Sequence, residues 1–201
     1  MFMQFWEDIK NIDKFLFVLI HNDSDHKAMD GIFLFLRNAL TWIPLYLFLL
    51  VYSVKKMQNK AWLFIIGSVL VFAITDSLSA SVLKPLFARP RPCYDPEIHA
   101  YMRNLIDCGG LYSFPSSHAS NHFGLASFWF LAIQKVTGKK WQWLWVWAAI
   151  IGYAQIYVGK HFPLDIFGGA ILGILVGTLI AQFFSYFWEH TPQTRRLTPA
   201  A

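Results

Sequence analysis

The chain has 201 residues, of which 56% are hydrophobic and only 14% charged, whereas charged residues make up about a quarter of an ordinary soluble domain. Its formal net charge is +5, with no basic stripe on a soluble surface, so neither a soluble globular domain nor a nucleic-acid binder fits. A bilayer core of about 30 Å needs about 20 apolar residues in a helix, and such runs fall at 38–54, 61–83, 117–134, 141–159 and 164–188. The expected fold class is all-α: a polytopic transmembrane helix bundle of five to six spans with an N-terminal interfacial helix, in a single domain over 1–201.

In chain order, residues 1–30 carry Glu7, Asp8, Asp13, Asp23, Asp25 and Asp30 among aromatics, together with His21 and His26. Such a mixture reads as a solvated cap without chemistry. The apolar run Phe15 to Ile20 is too short to cross a bilayer, and the acids before it do not make a signal peptide's leading region. It reads as an amphipathic helix lying in the interface, with a short sixth span as the alternative. The first span is expected to begin near Gly31, with Arg37 near its outer end and a kink at Pro44.

The second span carries Asp76, for which pairing inside the bundle is the expectation. By helix rise, Arg37 and Asp76 fall at about the same depth, about 10 Å below one surface, so Arg37 is the candidate partner. This span should end at Lys84, because Pro85 and the Pro90-Arg91-Pro92 run cannot continue it. Cys93 and Cys108, the only cysteines, lie in the loop that follows, either as a disulfide or as two free thiols. The third span opens with Pro115-Ser116-Ser117-His118. His122 follows His118 at a metal-ligand spacing, but no Cys is near, no Glu follows in a zinc pattern and the neighbouring cations repel a metal, so no metal is expected. The fourth span is rich in Trp, as anchors and packing, and the fifth carries Gly168, Gly169, Gly173 and Gly177, which permit close helix approach.

Three stretches carry chemistry. Pro163 suits the first position of a helix, which leaves His161 just outside it and Asp165 in its first turn, where a carboxylate can fix the imidazole tautomer. Ser116 and Ser117 lead into a helix whose first N–H groups and dipole favour an anion, beside His118. Lys84, Arg89 and Arg91 add cations, and Arg grips phosphate through paired hydrogen bonds. Together these read as a phosphate site with two histidines.

Lys84, six residues, Arg91-Pro92; Pro115-Ser116-Ser117-His118; His161, three residues, Asp165: this order resembles the three-part signature of the type-2 phosphatidic-acid phosphatase superfamily, whose soluble relatives include vanadate haloperoxidases. The resemblance runs from about residue 75 to 175. It implies a metal-independent phosphatase without cofactor, in which His161 is the nucleophile, Asp165 orients it and His118 protonates the leaving oxygen. Lys84, Arg91, Ser116 and Ser117 would hold the phosphoryl group. Two positions depart from the family pattern: Ser117 stands where Gly is usual, and Ala154-Gln155 where Ser-Arg is usual. The second departure removes a cation, for which Lys160 is the nearest replacement in sequence, the alternative being that Lys160 snorkels to the interface.

Lys55, Lys56, Lys60, Lys135, Lys139, Lys140, Arg195 and Arg196 mark their loops and the tail as cytoplasmic, which sends the signature outward, in a bacterial-type inner membrane. The expected substrate is a lipid whose tail stays in the bilayer. A polyprenyl diphosphate such as undecaprenyl diphosphate leads, with lipid A, phosphatidic acid and phosphatidylglycerophosphate as alternatives and a non-catalytic lipid-phosphate binder as the rival class.

Overall fold

In a computed structural model, residues 2–22, 27–103 and 105–192 are described, and among them the architecture is helical apart from one isolated bridge, Pro90 to Tyr112. Asp23, Asp25, His26, Arg195 and Arg196 lie outside the described residues. The helices are α1 (Phe2–Asn22), α2 (Lys27–Arg37), α3 (Ile43–Met57), α4 (Ala61–Ser77), α5 (Lys84–Phe87), α6 (Ser117–Thr137), α7 (Trp143–Tyr157) and α8 (Pro163–His190). Two stretches are long and apolar enough to cross a membrane by length and composition, Ala39–Phe87 and Pro163–His190. The first is interrupted at Gln58, whose φ of 50° lies in the left-handed region and turns α3 back into α4.

The outer faces of these helices carry large apolar side chains in the open, including Leu47, Val51, Val69, Phe72, Leu175 and Phe183. Water would oppose such a belt; hydrocarbon does not. Inside, α6 is the central element, lying against α4, α7 and α8. Its buried Ala126, Phe128, Trp129 and Ile133 meet Phe64, Trp147 and Phe184 in the main core.

Three local expectations change. Pro44 starts α3 and does not kink a span: α2 ends at Arg37, Asn38 caps a short 3-10 turn through Trp42, and Pro44 occupies the first turn of the new helix, where no N–H is needed. The helix after α4 does not stop at Lys84. It widens into a π-turn over Leu78–Leu83, in which the Lys84 N–H reaches the Ser79 carbonyl, and so carries Pro85 into α5 before Ala88 ends it in the left-handed region. The N-terminal segment is not merely a solvated cap. Asp13, Phe17 and His21, spaced four apart on one stripe of α1, are buried, and Asp30 bonds to Arg103 and Tyr157.

Among the described residues, α6 and α8 make the most extensive helix–helix contact. Built Cβ atoms at Gly169, Gly173 and Gly177 would lie 2.6, 2.4 and 2.3 Å from the carbonyl oxygens of Ser116, Ser120 and Gly124. Glycines four apart on one helix thus meet small residues four apart on the other, and only absent side chains allow this approach. At one end of the bundle Lys60 bonds the Trp188 carbonyl at 2.6 Å and Lys135 pairs with Glu189, so the lysine-bearing turns gather there. The opposite end gathers α5, the loop after it, the start of α6 and the turn before α8.

Gly173→Ala should cost about 1–3 kcal/mol, because its obstacles are backbone atoms that cannot rotate away. A lowered thermal midpoint in detergent together with lost activity is expected, while Gly31→Ala, with nothing within 4 Å of the new methyl, should be neutral. Unchanged melting of Gly173→Ala would show that the helices are not held this close.

Candidate active site

The α6–α8 contact brings the two histidine-bearing blocks together. The Ser116 N–H donates to the Asp165 carbonyl at 2.9 Å, and the Ser116 side chain caps α6 by accepting from the Ala119 N–H at 3.4 Å. Ser116 is therefore a buried structural cap, and its hydroxyl faces the helix it starts.

His161 and Asp165 are both buried. The imidazole Nδ1 lies 3.5 Å from Asp165 Oδ2, too long for a hydrogen bond here, but the facing carboxylate favours the tautomer with the proton on Nδ1. That tautomer leaves the Nε2 lone pair free. Burial pushes His161 below its ordinary pKa, with Asp165 opposing and Arg91 and Lys84 reinforcing, so the ring is neutral at pH 7 as a nucleophile requires. Asp165 is itself well held: Oδ2 accepts the Phe162 N–H at 2.8 Å and Oδ1 accepts from Arg89 at 2.8 Å.

Arg89 is thus not a free phosphate cation. It lies between Asp165 and Asp13 of α1, with 2.5 Å to Asp13, and stacks on Phe162 at 4.2 Å. The cations left for an anion are Lys84 and Arg91. Lys84 donates to Ser117 Oγ at 3.1 Å, a hydroxyl that also accepts from Ser79 at 2.9 Å. Ser117, present where the family usually has Gly, therefore steadies the lysine. Burial lowers the Arg91 pKa, with Asp165 and Tyr94 opposing and the charge of Arg37 reinforcing. The loop carrying Arg91 is closed by the Cys93–Cys108 disulfide, which resolves the two alternatives for these cysteines.

Arg37 lies where sequence reasoning did not place it. The expected Arg37–Asp76 pair does not form, because Asp76 accepts from Asn121 at 3.1 Å, while Thr75 donates to the same Asn121 at 2.7 Å. Asp30, Phe33 and Arg37, at i, i+3 and i+7, share the face of α2 that packs on α7: Tyr157 donates to Asp30 at 2.8 Å, and Phe33 packs on Tyr157 and Tyr153. This register turns Arg37 toward the histidines, where its charge bears on His118, Arg91 and Lys160. Its Nε is buried without a partner, and among the described residues it has no counterion. The i, i+3, i+7 pattern was readable; that α2 stops at Arg37 was not.

Lys160 donates to the Asp107 carbonyl at the site's rim. Partial burial and the charges of Arg91 and Arg37 lower its pKa to about 8. Gln155 is buried beneath it: the backbone carbonyl accepts the Lys160 and His161 N–H groups at 3.0 and 3.3 Å, while neither side-chain amide atom has a partner. His122 hangs one turn below His118, its Nδ1 donating to the His118 carbonyl at 2.7 Å. From Asn121 and His122 an apolar cavity of about 450 Å³ runs between α3, α4 and α6, lined by Tyr46, Leu50, Ile65 and Phe72.

The comparisons with known proteins agree with this geometry. The profile of the PAP2 superfamily matches residues 61–189. The chain is 33% identical over 183 residues to a lipid A 4'-phosphatase of Porphyromonas gingivalis, covering 90% of this chain and 76% of that protein. It is 25% identical to the undecaprenyl-diphosphatase BcrC of Bacillus subtilis, covering 84% and 82%. Of solved structures, a transmembrane PAP2-type phosphatidylglycerolphosphate phosphatase from Bacillus subtilis aligns with a TM-score of 0.67 at 20% identity, over 94% of this chain and 90% of that one. Aquifex aeolicus LpxE aligns with a TM-score of 0.57 at 28% identity, over 83% and 93%. The chain belongs to the PAP2 superfamily, as a membrane protein and a hydrolase of the phosphatase class.

Proposed function

We propose that the protein hydrolyses a phosphate monoester or diphosphate head group of a membrane lipid through a phosphohistidine on His161. The observation that carries this reading is the neutral, Asp165-held imidazole of His161 beside Lys84, Arg91 and Arg37, cations that no carboxylate of the described residues ion-pairs. In the first step Nε2 attacks phosphorus in line, the bond to the leaving oxygen breaks and His118 gives that oxygen its proton. In the second, water attacks phosphorus, His118 takes the water's proton and the P–N bond breaks to release inorganic phosphate. Lys84, Arg91, the start of α6 at Ser117 and Arg37 neutralise the phosphoryl oxygens, Arg37 standing in for the charge that Gln155 lacks.

The apolar cavity that opens one turn below His118 suits a hydrocarbon tail and supports a lipid over a soluble ester. Five spans, formed by α3, α4 with α5, α6, α7 and α8, with α1 lying in the interface, give the bundle its membrane frame. The lysine-bearing turns then face the cytoplasm and the site faces outward in an inner membrane. Two head groups have support from relatives: the 4'-phosphate of lipid A, through the P. gingivalis protein, and undecaprenyl diphosphate, through BcrC. Purified protein assayed against both lipids and phosphatidic acid, with His161→Ala as the control, tests the reading. Release of phosphate by His161→Ala at the wild-type rate would refute it. His118→Ala should recover in part on substrates with good leaving groups, since only the acid step is lost.

Arg37→Gln should lower kcat/KM by at least tenfold, about 1.4 kcal/mol. Lys160→Ala should do less, and Gln155→Arg should restore part of the Arg37→Gln loss. A tenfold loss in Lys160→Ala with none in Arg37→Gln would instead make Lys160 the replacement cation.

The pH profile supplies a further check. His161 acts as the neutral ring, which is lost as pH falls through its pKa; because burial lowers that pKa, kcat/KM should hold through pH 6.5 and decline only below it. Lys160 is charged below its pKa of about 8 and neutral above, so any part it has in binding should appear as a KM that rises above that pH. Lys160→Arg should abolish this rise.

A further inference from the structure

We infer that Asp13 of α1, which lies outside the signature region and outside the 61–189 match, is a positioning residue for the nucleophile and acts through Arg89 on Asp165. The inference rests on the assignment of His161 as nucleophile.

The geometry is a chain of four side chains. His161 Nδ1 lies 3.5 Å from Asp165 Oδ2; Asp165 Oδ1 accepts from Arg89 Nη1 at 2.8 Å; Arg89 Nη2 donates to Asp13 Oδ2 at 2.5 Å. The other Asp13 oxygen accepts the Leu164 N–H at 2.8 Å, just as the other Asp165 oxygen accepts the Phe162 N–H at 2.8 Å. Two carboxylates and one guanidinium therefore clamp both ends of the Phe162–Leu164 turn that carries His161 into α8. Asp13 and Asp165 are 2% and 0% exposed, so water does little to screen the cluster.

Charge explains why two carboxylates are needed. Arg89 with Asp165 alone is neutral, and a neutral partner gives little support to the positive charge that appears on the ring when Nε2 bonds to phosphorus. Adding Asp13 leaves the trio at a net charge of −1, which balances the imidazolium of the intermediate. Burial raises the Asp13 pKa from its ordinary value, helped by the Asp165 charge, while Arg89 and the Leu164 N–H oppose this; the direct guanidinium contact favours the carboxylate form. The other charged or titratable groups around His161 are Lys84 of α5, Arg91 of the following loop, Arg37 of α2 and His118 of α6; the cations disfavour a positive ring, which makes the net negative trio the compensating term.

The test is Asp13→Asn, which keeps an acceptor for Leu164 and removes the charge, with Asp13→Ser as a second neutral variant and Asp13→Glu as the conservative one. On whichever lipid phosphate the wild type hydrolyses, the neutral variants should lose at least tenfold in kcat with KM within twofold. Their His161 pKa should fall, because the ring has lost net negative surroundings, so the acid limb of kcat/KM should move to lower pH by at least half a unit; Asp13→Glu should restore both. Carbethoxylation of His161 by diethyl pyrocarbonate, followed against pH by mass spectrometry, reads the same pKa without turnover. This second measurement separates the two ideas: active His161→Ala would refute the nucleophile assignment, while the carbethoxylation limb still reports on Asp13. Wild-type kcat and limb in the neutral variants would overturn the inference. A lost kcat with an unmoved carbethoxylation limb would also overturn it, by reducing Asp13 to a structural pin.

Discussion

Everything at this site depends on how closely α6 and α8 approach. Gly169, Gly173 and Gly177 lie against the Ser116, Ser120 and Gly124 backbone at distances that no Cβ could share. In hydrocarbon there is no hydrophobic drive to press helices together, so shape must do it, and small residues on both faces let dispersion and backbone contacts accumulate. The contact has a chemical consequence at its upper end. It sets the Asp165 carbonyl on the Ser116 N–H, and so fixes where the turn carrying His161 lies relative to the start of α6.

On that frame the charged groups divide into two sets. Arg89 is surrounded by carboxylates and an aromatic face, and its work is to hold Asp165 in place. Lys84 and Arg37 have no carboxylate ion pair among the described residues, and Lys84 is steadied only by neutral hydroxyls through Ser117. A half-buried cation with no counterion is unfavourable by itself, and it becomes favourable when an anion arrives. Uncompensated charge beside a neutral imidazole suits an incoming anion, and the paired arginine next to it holds Asp165 apart from the unpaired cations.

The surroundings of the site suit an amphiphilic substrate in the same way. The π-turn at Leu78–Leu83 carries Lys84 into α5, and the Arg91 N–H is tied to the Leu111 carbonyl at 3.1 Å beside the disulfide-closed segment. Below, the cavity under His122 is apolar and borders the exposed belt of α3 and α4, so polar and apolar surroundings lie within one helical turn of each other.

The linear sequence determined the class of this protein because membrane helices announce themselves by composition, and because the three signature blocks sit at helix ends whose capping chemistry is local: Pro163 opening a helix, Ser116 at a cap, His161 and Asp165 one turn apart. The family of phosphatases followed from those residues in that order. What only the tertiary structure decided involves partners far apart in the chain. Arg37 was read against Asp76 by depth alone, but depth does not fix rotation about the helix axis, and the break at Asn38 turned Arg37 to the site while Asn121 took Asp76. Asp13 read as a solvated acid because nothing local marks a charge for burial; a guanidinium 76 residues away joined it to Asp165, through a contact that exists only once α1 packs on α8.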